Sequence, residues 1–394
     1  MKLNFPTRGS IAIPGKACEA RNHLSICRFC SIWYLSTAFL AYFCYIFPVM
    51  SKKILITGAA GFIGSNYAHY YCEQHPEDQV VVLDALTYAG NRENIASLES
   101  RPNFKFVQGD IADQPFIETL FEVEKFDVVV NFAAETHVDR SIHNPGIFVK
   151  TNINGTHTLL EACRTMGNIR YHQVSTDEVY GDLGSGTTDF FVETTPLAPN
   201  CPYAASKAAA DLLVRSYFET YKMPITISRC SNNYGPYQFP EKLIPYFFYL
   251  MTNDKPVPVY GDGLNVRDWL YVLDHCRAID LIVSNGRLGD VYNIGGHEER
   301  TNLDITKTLL KFFDKNDDLI FYVDDRVAHD RRYAMDPTKI EKELGWSPSV
   351  TFEEGIAKTF AWYESNRAWS EALRAQMMER KHKILSKEPQ KISR

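Results

Sequence analysis

The stretch "KILITGAAGFIGSNYAHYYCEQH", residues 53–75, decides the fold. Its first five residues form a short β-favouring run with an apolar centre, the middle is a glycine turn, and the rest is helix-like. A strand feeding a glycine turn that opens a helix is a phosphate-binding arrangement, because the helix N-terminus presents backbone N–H groups and a positive dipole end. The glycines Gly58, Gly61 and Gly64 follow a GxxGxxG spacing. The first permits the tight turn, the second close approach of the backbone to a pyrophosphate, and the third close packing of helix on strand.

Further apolar runs follow at βαβ spacing. "QVVVLD" ends in Asp84, 20 residues after Gly64, where a carboxylate can bind adenosine ribose hydroxyls and repel a 2'-phosphate, so NAD is favoured over NADP. "FKFVQGD" leads to Asp110 and Ile111, suited to the edge and face of an adenine. "FDVVVNFAAETH" runs into small Ala133 and Ala134, which let a cofactor approach the backbone. Helical segments at 65–75, 91–99, 114–123 and 145–167 separate these runs. Strands alternating with helices imply a parallel, doubly wound sheet, and "RYHQVSTDEVYG" is then its fifth strand, ending at the ligand crevice.

That end carries adjacent carboxylates, Asp177 and Glu178. Neighbours on a regular strand point to opposite faces, so both can serve one substrate only if the strand ends or bends there. An acid and a base of one chemical class also need environments that split their pKa values. Farther on, "YAASK" sets Tyr203 and Lys207 four residues apart, on one helical face. A cationic Lys207 beside Tyr203 is expected to lower the phenol's pKa, leaving a base for a hydroxyl proton, with Thr176 hydrogen-bonded to the same oxygen.

GxxGxxG, Asp84, "STDEVYG" and "YAASK" resemble the extended short-chain dehydrogenases/reductases. With "HVDRSI", "SNNYGPYQFPEKLIP", "VRDWLYVLDHC", "YNIGG" and "HDRRYAMD" the chain is similar to the dTDP-glucose 4,6-dehydratases, from about Lys52 to about Tyr363. The resemblance implies an α/β fold: a Rossmann-type doubly wound parallel sheet with a smaller C-terminal α/β substrate-binding domain. The expected layout is an NAD-binding part over 51–235 with a return segment near 262–285, and a nucleotide-sugar part over 236–261 and 286–370.

The resemblance also implies an activity, NAD-dependent dehydration of dTDP-glucose or UDP-glucose. Tyr203 takes the carbon-4 hydroxyl proton as hydride leaves, Glu178 takes the carbon-5 proton, and protonated Asp177 donates to the departing carbon-6 hydroxyl. Hydride then returns to carbon 6. Cofactor contacts are implied for Phe62, Ile63, Ala85, Leu86, Thr87, Phe132, Thr151 and Asn233. Substrate contacts are implied for Thr136, Asn232, Lys242, Leu243, Pro258, Val259, Tyr260 and Asn293, with Arg267 and Arg332 suited to a diphosphate. The segment His329, Asp330, Arg331, Arg332 and Tyr333 completes that side. Val327 and Ala328 stand where the family commonly has Pro-Gly. A homodimer through helices 150–166 and 204–221, with Leu159, Leu160, Leu212 and Leu213, is implied as well. The alternatives are an epimerase or decarboxylase of the same fold, marked by loss of the acid at 177, and a non-catalytic NAD-binding scaffold, marked by loss of Tyr203 or Lys207. This chain keeps all three residues.

Composition agrees with a globular body: 394 residues, 45% hydrophobic and 23% charged. Residues 51–394 hold 37 Lys/Arg against 47 Asp/Glu, an acidic balance that argues against nucleic-acid binding. Nine cysteines scattered through the chain suggest reduced thiols in the cytoplasm, and Cys27 with Cys30 lacks the second pair a zinc site needs, so no metal is expected. Residues 1–50 differ from the rest. From Phe29 to Ser51 no residue is charged, a length able to span a bilayer. The run stops about three residues before "KILITG", a gap of only about 10 Å when extended, and Met50 opens "MSKKILITG". Residues 1–49 are therefore expected to be a dispensable extension, with a membrane or targeting segment as the alternative. Residues 371–394 are expected to be a solvated basic tail.

Overall fold

The computed structural model describes residues 51–325 and 329–385. The apolar run and Cys27–Cys30 pair of residues 1–50, Val327 and Ala328, and the tail beyond Leu385 lie outside the described residues.

Seven strands form one sheet in the order β10-β6-β5-β4-β1-β2-β3. They are β1 (Lys53–Thr57), β2 (Gln79–Asp84), β3 (Phe104–Gln108), β4 (Val128–Asn131), β5 (Arg170–Thr176), β6 (Ile225–Cys230) and β10 (Val291–Ile294). All pairs are parallel. Parallel strands need crossover connections, and the helices that supply them cover both faces, which is why β1, β2 and β4 read as unbroken apolar runs. Ile54, Leu55 and Ile56 are fully buried, each worth about 1.5–3 kcal/mol of burial. Leu55 packs with the helix Thr156–Thr165 on one face, Ile54 and Ile56 with the helices Phe62–Gln74 and Val272–Asn285 on the other.

From β1 the chain runs outward through β2 and β3, then returns to the other side of β1 for β4, β5 and β6. That reversal opens a crevice at the C-terminal ends of β1 and β4. A second group of strands lies C-terminal to β6. β7 (Asn232–Tyr234), β9 (Val266–Tyr271) and β11 (Glu299–Thr301) form a three-stranded sheet, and β8 (Val257–Tyr260) pairs with β12 (Ile320–Val323). An aromatic core of Tyr234, Phe247, Phe248, Trp269, Phe352 and Phe360 joins them to the helices Leu243–Thr252, Asn302–Phe312 and Phe352–Ser365.

Two expected boundaries move. β9 falls within the anticipated return segment but pairs with β7 and β11, whereas β10, assigned to the substrate part, pairs with β6 at the edge of the large sheet. The helix Val272–Asn285 does return to pack on the glycine-turn helix. The other correction concerns the tail: Arg367–Leu385 is helical. Leu373 is buried there, and the Arg374 guanidinium lies 3.1 Å from the Tyr249 ring centroid, so packing and a cation–π contact hold a segment that its charges alone would leave in solvent.

Candidate active site

The crevice holds a cavity of about 450 Å³. At its floor the glycine turn is tightly packed. Gly58 has φ +67°, and a Cβ there would stand 2.6 Å from Ala133 N; a Cβ on Gly64 would stand 2.4 Å from Gly58 O. No side chain caps the helix that begins at Phe62. Asp84 closes this end: its Oδ2 accepts from Ala60 N at 2.9 Å and its Oδ1 from Leu86 N at 2.7 Å. Burial raises its carboxyl above the ordinary range, and those two N–H bonds oppose the rise. A shape-restricted turn with an uncapped helix end and a carboxylate anchored 20 residues on fits a dinucleotide with free ribose hydroxyls.

Of the residues expected at the cofactor, Gly58, Gly61, Phe62, Ile63, Gly64, Asp84, Ala85, Thr87, Asp110, Ile111, Phe132, Ala133, Ala134, Thr151 and Asn233 line the cavity. Leu86 does not; at φ 51° it turns the chain so that its N–H holds Asp84. Thr151 reaches the wall because Val149–Gly155 is a π-helical turn, a local widening common at functional sites.

At the cavity's other end β5 stops at Thr176 and a 3-10 turn, Asp177–Tyr180, begins. The bend brings Thr176, Asp177 and Glu178 to the same cavity as Tyr203 and Lys207. Thr176 Oγ1 donates to Asp177 Oδ1 at 3.1 Å and caps the turn by accepting from Glu178 N. Asp177 is only 2% exposed, and its Oδ2 has no hydrogen-bond partner among the described residues. Burial, then the charge of Glu178, pushes the Asp177 carboxyl up to about 8, so it carries a proton at neutral pH.

The Tyr–Lys pair departs from expectation. Lys207 Nζ donates to the Val174 carbonyl at 2.7 Å, and burial lowers its pKa. The Tyr203 phenol is raised, not lowered, by burial and then by the negative charge of Glu178. Sequence spacing places the two on one face but does not reveal how far water is excluded from the phenol.

Thr136, Asn232 and Lys242 line the cavity; the remaining expected substrate residues do not. Leu243 packs against the aromatic core. Pro258, Val259 and Tyr260 form β8, with Val259 buried and Tyr260 turned edge-on to His329. Asn293 is structural: its Oδ1 accepts from Tyr180 OH at 2.7 Å and its Nδ2 donates to Phe191 O at 2.9 Å. Tyr180 also accepts from Arg229, itself paired with Asp211 at 2.9 Å, so Asn293 ends a buried chain behind the acid turn. The arginines are engaged as well. Arg332 Nε and Nη2 meet Glu299 at 2.9 and 3.1 Å, and Arg331 meets Asp262 at 2.8 and 2.9 Å. Arg267 donates to the carbonyls of Val266 and Asp330 and lies 4.3 Å from the Tyr333 ring centroid. His329 Nδ1 is 2.6 Å from Asp325 Oδ1, and Asp330 Oδ1 accepts from Asn200.

Sequence reasoning missed Tyr88, Glu135, Lys150, Gln238 and Glu241 on the cavity wall. Glu135 and Glu241 sit inside the quoted "FAAETH" and "FPEKLIP", and only their motif membership could have flagged them. Among the described residues no group of three or more His, Cys, Asp or Glu could hold a metal, and no helix is long and apolar enough to cross a membrane.

A doubly wound sheet whose crevice joins a GxxGxxG turn, a Tyr–Lys pair and two acids has the architecture of the extended short-chain dehydrogenases/reductases. More narrowly, the GDP-mannose 4,6 dehydratase family model matches residues 55–359, and this chain belongs to that family. It is 49% identical over 336 residues to a dTDP-glucose 4,6-dehydratase of Neisseria gonorrhoeae, covering 80% of this chain and 96% of that protein. The structure of dTDP-glucose 4,6-dehydratase from Bacillus anthracis in complex with NAD superposes with a TM-score of 0.77 at 47% identity, over 82% of this chain and 100% of that one. UDP-glucose 4-epimerase of Thermotoga maritima is more distant, with a TM-score of 0.73 and 30% identity over 80% of this chain and 99% of that one.

Proposed function

We propose that this protein is an NAD-dependent dTDP-glucose 4,6-dehydratase. The observation that carries the reading is the acid turn: two adjacent carboxylates face one cavity, and the buried one holds its proton up to about pH 8. Oxidation at carbon 4 alone does not call for such a pair; loss of water across carbons 5 and 6 does.

Bound NAD would supply the hydride acceptor and donor. Tyr203 takes the carbon-4 hydroxyl proton; its raised pKa makes that step depend on added positive charge in the cavity. Lys207, fixed on the Val174 carbonyl, contributes a buried ammonium on the same helix. With a ketone at carbon 4 the carbon-5 proton becomes acidic, and Glu178 removes it. Asp177 donates its proton to the leaving carbon-6 hydroxyl, and Thr176 orients that carboxyl.

A homodimer accompanies this reading, with one change to the expected surface. Leu159 and Leu160 are fully buried within the monomer and are unavailable to a partner, whereas Leu212 is 55% exposed on the helix Pro202–Tyr221. A cytoplasmic location fits the five free, buried thiols of Cys72, Cys163, Cys201, Cys230 and Cys276.

Incubating the full chain with NAD and dTDP-glucose should yield a 4-keto-6-deoxyglucose nucleotide, seen by its absorbance in alkali and a mass lower by one water. NAD binding without any such product would remove the dehydratase reading.

A further inference from the structure

The helix Arg367–Leu385 lies beyond residue 359, where the family match ends, yet it reaches the glycine turn. Trp369 Nε1 donates to Asn94 Oδ1 at 2.8 Å, across 275 residues of sequence. Asn94 is 2% exposed. Its Nδ2 donates to the Ala60 carbonyl at 2.9 Å, and that carbonyl also accepts from Asn91 N. Ala60 belongs to the turn itself, and its own N–H is the one that holds Asp84 Oδ2. Three hydrogen bonds therefore lead from the C-terminal helix to the carboxylate at the ribose end of the cavity.

The direction of this chain is fixed by chemistry. An indole N–H can only donate, whereas an asparagine amide presents an acceptor on one side and a donor on the other. With Trp369 claiming Oδ1, the Asn94 NH₂ must face the Ala60 carbonyl. Without the indole donor that oxygen keeps only the longer bond from Asn91 Nδ2, at 3.4 Å, and the amide is held less firmly against turning its oxygen toward that carbonyl. Packing keeps the indole in place: Trp369 lies edge-on to Trp362, ring centroids 5.0 Å apart, and to Tyr237 at 6.1 Å. Tyr237 stacks on His69 at 5.6 Å, and His69 Nε2 is 2.8 Å from the Asn94 carbonyl.

We propose that Trp369 is a positioning residue for the dinucleotide site, acting through Asn94 to hold the Ala60 carbonyl and with it the turn and Asp84. The inference rests on the reading that this cavity takes NAD.

The test uses the full chain stripped of nucleotide and titrated with NAD. Trp369→Phe keeps the aromatic packing and removes the donor. It should raise the NAD dissociation constant by about three- to tenfold, the effect of one lost hydrogen bond, with kcat at saturating NAD unchanged. Asn94→Asp, which replaces the NH₂ by an acceptor, should raise it at least as far. Trp362→Phe serves as the control. Trp362 belongs to the same aromatic cluster but makes no hydrogen bond to Asn94, so this variant should lower the melting temperature at most and leave NAD affinity as it was. Unchanged NAD affinity in Trp369→Phe, with only its melting temperature lowered, would overturn the proposal while leaving the dehydratase reading intact. A wild-type chain that fails to bind NAD would remove both.

Discussion

The cofactor end of the cavity and the region outside its wall that is expected to take the nucleotide are built on different principles. Around the glycine turn the polar contacts come from backbone and from one carboxylate, Asp84, that two N–H groups hold in place. Nothing there has to change partners to receive a ligand. At the nucleotide end the charged residues already have partners within the protein: Arg332 with Glu299, Arg331 with Asp262, Arg267 with two carbonyls. A diphosphate would have to compete with those carboxylates, so each arginine adds less affinity than its charge suggests. Preorganisation at one end and partner exchange at the other predict unequal sensitivity to mutation.

Four substitutions probe that contrast. The largest effect belongs to the chemistry shared between the ends: Tyr203→Phe should reduce turnover by about 10²- to 10⁴-fold with NAD binding retained, measured by product formation and NAD titration. Next, Gly58→Ala should weaken NAD binding by about ten- to hundredfold, because the new methyl meets Ala133 backbone at a position with φ +67°. If NAD affinity survives this change, the cofactor end is not preformed.

The third tests Asp177 through stability. Its native carboxyl holds a proton up to about 8, well above the ordinary carboxylate value of 3.8, so across that window the native state binds more protons than the unfolded one. Stability contributed by this group is therefore present at low pH and lost as pH rises. Asp177→Asn should gain on the parent by at least about 1 kcal/mol between pH 5 and pH 8, seen as a widening difference in melting temperature. The smallest effect is expected at the nucleotide end. Glu299→Gln removes the charge partner of Arg332, whose Nη1 stays on the Asp189 carbonyl, and should lower KM for dTDP-glucose by about two- to fivefold with kcat unchanged. A higher KM would mean that the Arg332–Glu299 pair is itself part of the binding surface.

The same contrast explains what the sequence could disclose. The glycine turn, Asp84 and the alternating strands were legible because their roles follow from local backbone geometry. The acid turn was legible as well, since two adjacent side chains cannot reach one substrate from a straight strand. Asn293, Arg331 and Arg332 were not, because their work is set by Tyr180, Asp262 and Glu299, partners 113, 69 and 33 residues away. The phenol of Tyr203 rose where a fall was expected, because burial, invisible in a four-residue spacing, and then the charge of Glu178 both push it up. β10 and the helix at Arg367 were misplaced for a similar reason: pairing with β6 and docking of Leu373 and Arg374 are long-range events.

The central claim is that Glu178 and Asp177 together remove water after oxidation at carbon 4. Running the reaction with dTDP-glucose in deuterated water and weighing the product tests it most directly. The account predicts a product lighter than the substrate by one water and carrying one solvent deuteron at carbon 5, where Glu178 removed a proton. A product of the substrate's own mass, or a dehydrated product with no deuteron at carbon 5, would contradict it.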